Sequence, residues 1–77
     1  MKNKLVIYAN VLKDNLTREG CSFIMQKAEP ISRSILMQFN RNNVQQNIIN
    51  RAVEVLKCIH MVELGKDTLT ILLQEEI

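Results

Sequence analysis

Tryptophan is absent from this chain, and only Tyr8, Phe23 and Phe39 are aromatic. That excludes a sugar-binding or base-stacking platform, which needs several exposed rings. One histidine and two cysteines leave little from which to build catalysis. No acid/base pair or phosphate-cradling loop is visible, so the expectation is a non-enzyme without a cofactor or small-molecule substrate. Cys21 and Cys58 have no third or fourth partner. A disulfide framework of the secreted kind is therefore ruled out, and reduced core thiols in the cytoplasm are expected. Glycine and proline are equally scarce, at Gly20, Pro30 and Gly65. A sandwich or barrel needs a turn about every 10 residues, usually marked by these types. No apolar run approaches the ~18 residues of a membrane span. The opening Met1-Lys2-Asn3-Lys4 and the apolar stretch after it look superficially like a signal peptide. Asn10 interrupts that stretch, Lys13 and Asp14 follow, and no small-residue cleavage site appears.

What remains is aliphatic. Hydrophobic residues make up 47% of 77 residues, led by nine Ile, nine Leu, six Val and four Met, with a net charge of only +2. Such a chain is neither disordered nor longer than one domain. Leu5, Tyr8, Ala9, Leu12 and Leu16 recur at the spacing of one helical face, predicting a helix over 3–18 capped by Gly20. Ile24, Ala28, Ile31, Ile35 and Phe39 continue the pattern and predict a second helix over 22–39, broken or kinked at Pro30. Asn40 to Asn43 reads as a turn whose asparagines tolerate left-handed backbone angles. A third helix is expected over 44–64, with Val44, Ile48, Ala52, Val55, Ile59 and Val62 on one stripe and Ile49, Val53 and Leu56 on another. Gly65 would end it. Asp67 would cap a last helix over 67–76, with a strand through Leu69, Ile71 and Leu73 as the alternative. The expected fold is thus all-α, a single domain forming a small bundle of three to four helices.

The polar residues are weighed against ordinary structural roles. Cys58 and His60 are two apart, so on a helix they point about 200° from each other and cannot share a metal ion. His60 then reads as a partly buried core histidine, and Met25 and Met37 as core filler. Met61 projects among polar residues on the third helix and is a candidate contact point. The acidic end, Gln74 to Ile77, reads as solvated.

Charge is unevenly placed. Residues 1–51 hold eight Lys or Arg against three acids, and residues 52–77 hold two against five. Eight of the fourteen residues from 38 to 51 are Asn or Gln, with Arg41 and Arg51 among them. Amides can read adenine edges and Arg can read guanine. A helix-turn-helix would be their host, but Gln38 or Phe39 stands where that motif needs a small residue.

The first reading is therefore a small regulatory or adaptor protein that binds another, unidentified protein. The second is a DNA-binding transcriptional regulator using region 38–51. Interaction candidates are Arg41, Gln46, Asn47, Asn50, Arg51 and Met61. A chain this short normally buries only about 60% of its surface alone, and the apolar arc of 44–64 is wider than the ~100° of a helix on one surface. Both point to a homodimer through the third helix, with Ile48, Ala52, Val55, Ile59 and Val62 at the interface. Lastly, Asn47-Ile48-Ile49, Leu56 and Lys66 to Leu72 slightly resemble the small helical biofilm and two-component connector proteins of enteric bacteria. The likeness covers the C-terminal half and carries over no functional residues.

Overall fold

Ile35, Met37 and Phe39 are buried, while Leu36 and Gln38 between them are only half-buried. That is a period of two, the signature of a strand with one face on a core. The computed structural model describes residues 4–54, 56 and 58–75, and the same alternation recurs where Leu69, Ile71 and Leu73 are buried. In chain order the elements are α1 (Lys4–Glu19), β1 (Ser22–Glu29), β2 (Ser34–Asn40), α2 (Gln46–Val53), β3 (Ile59–Leu64) and β4 (Thr68–Gln74). The strands form one antiparallel sheet in the order β1-β2-β4-β3. The fold is α+β, not an all-α bundle.

α1 occupies nearly the span expected from its spacing. It buries Leu5, Ala9, Leu12 and Leu16, one residue per turn or so. Its end is a Schellman motif: Cys21 N–H donates to the Leu16 carbonyl at 2.9 Å and Gly20 N–H to that of Thr17 at 3.1 Å. Gly20 sits at φ +115°, where a side chain would be strained. Asn42 and Asn43 adopt φ of 54° and 65° in the next turn but one.

The expected helix over 22–39 is instead the β1–β2 hairpin. The four-residue spacing of Ile24, Ala28, Ile31, Ile35 and Phe39 is coincidental. Ile31 lies at the hairpin tip with 94% of its surface exposed, and Ile24 is exposed beside a β-bulge. Pro30 opens the tip, where its fixed φ favours a turn and its missing N–H costs nothing. The expected helix over 44–64 stops at Val53. β-Branched Ile59 and Val62 fit a pleated strand at least as well as a helix, and pairing with β4 decides for β3. Gly65 turns β3 into β4 rather than capping a helix, with its N–H donating to the Thr68 carbonyl at 2.8 Å. The last helix over 67–76 is replaced by its alternative: Leu69, Ile71 and Leu73 are the buried residues of β4. The likeness to helical connector proteins falls with these helices.

The core lies between the sheet and the two helices, which pack side by side on one face. β2 contributes Ile35, Met37 and Phe39, β4 contributes Leu69, Ile71 and Leu73, and α2 contributes Ile49 and Val53. The other face of the sheet carries no element among the described residues.

Two αββ units build this arrangement, related by a pseudo-twofold axis normal to the sheet between Met37 and Ile71. The pairing register fixes the correspondence. Ile35, Met37 and Phe39 match Leu69, Ile71 and Leu73, and Met25 and Lys27 match Met61 and Glu63. Even the irregularities agree, since the register shifts between Phe23 and Met25 in β1 and between Ile59 and Met61 in β3.

Candidate functional site

An open cleft of about 480 Å³ separates α1 from α2, lined by Asn15, Glu19, Ile48, Arg51 and Ala52. Each wall follows from helical geometry. On α1, Tyr8, Val11, Asn15 and Glu19 step by three, four and four, so they form one stripe beside the buried one. The C-terminal part of that stripe meets α2. Its N-terminal part does not, because α2 is only eight residues long against sixteen for α1. Tyr8 and Val11 are consequently 36% and 40% exposed, with Ile7 beside them at 51%. The surface reads as an apolar strip running into a polar cleft, with Glu19 and Arg51 providing opposite charges.

α2 also gathers four residues singled out by the sequence. Gln46, Asn47, Asn50 and Arg51 are all exposed, while Ile49 and Val53 on the opposite side enter the core. Arg41 is placed elsewhere and is engaged internally. Its backbone N–H donates to the Asp67 carbonyl at 2.8 Å, and its guanidinium donates to the carbonyls of Gly65 at 2.7 Å and Val44 at 3.0 Å. It ties the β2–α2 loop to the β3–β4 turn. Met61 lies on β3, 39% exposed, on the uncovered face of the sheet.

The five residues assigned to a dimer interface do not share a helix. Ile48 and Ala52 line the cleft from α2, Ile59 and Val62 belong to β3 and pack against the core, and Val55 lies outside the described residues. The single stripe that joined them does not exist. His60, expected in the core, is exposed on β3. Met37 is buried as expected, but Met25 is only half-buried and points away from the helices with Lys27.

The electrostatics of the neighbourhood are mild. Burial pushes the Cys21 thiol up from its ordinary 9.0, against the pull of Arg41 and with a small push from Glu19. The Lys13 ammonium sits 4.1 Å from the centre of the Phe23 ring, a cation–π contact joining α1 to β1. Among the described residues no three His, Cys, Asp or Glu side chains converge as metal ligands. None of the described helices is long and apolar enough to cross a membrane.

The sequence missed the α1 wall of the cleft, placing Tyr8 on the buried stripe. The available signal was Ile7 and Val11, apolar residues outside the Leu5–Ala9–Leu12–Leu16 row. Comparison with known proteins found no matching family model, characterised protein or solved structure.

Proposed function

We propose that this chain is a small non-enzymatic regulatory or adaptor protein that binds another protein through the cleft between α1 and α2. The observation that carries the reading is the exposed strip Ile7, Tyr8 and Val11, continuous with Asn15 and Glu19 of the cleft. An apolar strip beside polar, oppositely charged groups suits an amphipathic segment of a partner, which buries its apolar side and satisfies its polar side. Tyr8 is the anchor, with a large apolar body and a hydroxyl for the rim.

The test is a parallel capture from the native host with the unmodified chain and two surface variants, Val11→Glu and Ala52→Arg. Both changes fall on residues that are not fully buried, and circular dichroism checks that they fold. A partner retained by the unmodified chain and lost by both variants is expected. Identical captures from all three would remove the cleft from the reading.

The second reading is DNA binding, favoured by the shared exposed face of Gln46, Asn47, Asn50 and Arg51. It is weakened by Arg41, whose guanidinium is engaged with carbonyls, and by exposed Glu54 at the end of the same helix. It requires duplex binding that falls steeply as salt rises. No retardation of a duplex at about 50 mM salt rejects it.

A further inference from the structure

We infer that two copies of this chain associate through the outward side of α1, with the two helices antiparallel about a twofold axis level with Ala9. This rests on the reading of Ile7, Tyr8 and Val11 as a protein-binding strip, and it names what covers the outer row of that strip. Lys4, Ile7, Val11 and Asp14 step by three, four and three, so they form one row along the helix. The row lies opposite the buried Leu5, Ala9, Leu12 and Leu16, and all four of its members are exposed. Val6 and Tyr8 beside it are exposed as well, so the first half of α1 is apolar nearly all round. A helix surface of that kind is ordinarily buried against something.

The order of the row selects the occupant. Read from the other end it is its own complement, cation and anion at the ends with Ile7 and Val11 between them. Alternating steps of three and four are the spacing of a seam between two helices. In the antiparallel pair Lys4 of each copy meets Asp14 of the other, and Ile7 meets Val11, each contact occurring twice. A parallel pair would set Lys4 on Lys4 and Asp14 on Asp14, which is repulsive. Sliding the antiparallel pair by one turn sets Lys4 against Arg18, and sliding it the other way carries Asp14 beyond the row. Arg18 lies four residues past Asp14 on the same side. At the inferred register the Asp14 carboxylate therefore stands between two cations, Arg18 of its own helix and Lys4 of the second copy. Within one chain Lys4 and Asp14 cannot pair, because ten residues of helix separate them by about 15 Å.

The axis runs across the helices, so both copies of α2 lie on the same side of the α1 pair and the Asn15 and Glu19 part of each cleft stays open there. Tyr8 of each copy flanks the seam near the axis. The contact spans about three helical turns, well below a standard interface, so a weak dimer with a Kd on the order of 100 μM is expected.

Complementary charge reversal is the test. Sedimentation velocity from about 10 to about 1000 μM should show the unmodified chain rising towards twice its monomer mass. Lys4→Glu and Asp14→Lys should each weaken self-association by about tenfold or more, since each creates two like-charge contacts per dimer. Mixed in equal amounts, the two variants should associate again, because both contacts between unlike variants join opposite charges. Both residues are exposed, so folding survives. Val11 belongs to the row and to the cleft strip alike, so Ala52→Arg separates the two surfaces. That variant should dimerise as the unmodified chain does, and its loss of a host partner bears on the cleft alone. The inference is overturned by a monomer across the whole range, by single reversals without effect, or by a mixture that associates no better than either variant alone. A monomer whose host partner is still lost in Ala52→Arg overturns the dimer and leaves the cleft reading standing.

Discussion

The Arg41 guanidinium donates to the Gly65 carbonyl at 2.7 Å, across 24 positions of sequence. With its second bond to Val44 it holds together the loop entering α2 and the turn between β3 and β4. Lysine is a single point donor and cannot span both carbonyls in the fixed fork that arginine presents. Arg41→Lys is expected to cost about 1–2 kcal/mol and Arg41→Ala about 2–3 kcal/mol. Urea unfolding measures both. Stability unchanged in the alanine variant would contradict the clamp.

Phe23 and Phe39 meet edge to face, with ring centres 5.7 Å apart, but only Phe39 is fully buried. Removing Phe39 leaves a cavity between sheet and α1, at a cost of about 3–5 kcal/mol. A domain this small has a total stability of similar size. Phe39→Ala should therefore be largely unfolded at 25 °C, while Phe23→Leu, 36% exposed in its parent residue, remains folded. Circular dichroism of the pair decides; a folded Phe39→Ala variant would refute the assignment of the core.

The two glycines should differ in tolerance. At Gly20 the backbone φ is +115°, and a Cβ would come 3.3 Å from Val44 Cγ2. Gly20→Ala is expected to lose about 1–2 kcal/mol. At Gly65 a Cβ would lie 2.7 Å from Thr68 Oγ1, the end of a side chain that can rotate away. Gly65→Ala should cost less than Gly20→Ala in thermal unfolding. The reverse order would show that the helix cap is not where the strain lies.

Cys21 predicts a pH effect. Its thiol is raised above 9.0 chiefly by burial, so the fold favours the neutral form. A raised value in the folded state means that its contribution is complete below 9.0 and is lost as pH rises through the folded value. Stability should fall on the alkaline side more steeply in the unmodified chain than in Cys21→Ala. Chemical denaturation at neutral pH and above pH 9.0 compares the slopes; equal slopes would contradict the burial of this thiol.

How far the candidate surfaces were legible follows from the same residues. Gln46, Asn47, Asn50 and Arg51 fall on one side of α2 because helical spacing holds locally from 46 to 53. Met61 stood out as an apolar residue among polar ones, and it does lie on an exposed face. The open sheet face as a whole was invisible. Its rows join Lys27, Leu36, Leu72 and Met61 from four strands, a relationship that no local spacing contains.

By itself the sequence determined α1, its glycine cap and the asparagine turn, since each depends on residues within four or five positions of one another. It also determined that the core would be aliphatic. Only the tertiary structure decided between helix and strand for the rest. Ile24 to Phe39 and Val44 to Val62 satisfy helical spacing, yet their β-branched residues satisfy a strand as well. The choice fell to long-range pairing: β2 with β4, 34 positions apart at Met37 and Ile71, gives each strand a partner and one buried face. A helix secures its hydrogen bonds within a few residues, whereas a strand needs a partner that may lie anywhere along the chain. That is why the first sixteen-residue element could be read directly from the chain and the four strands could not.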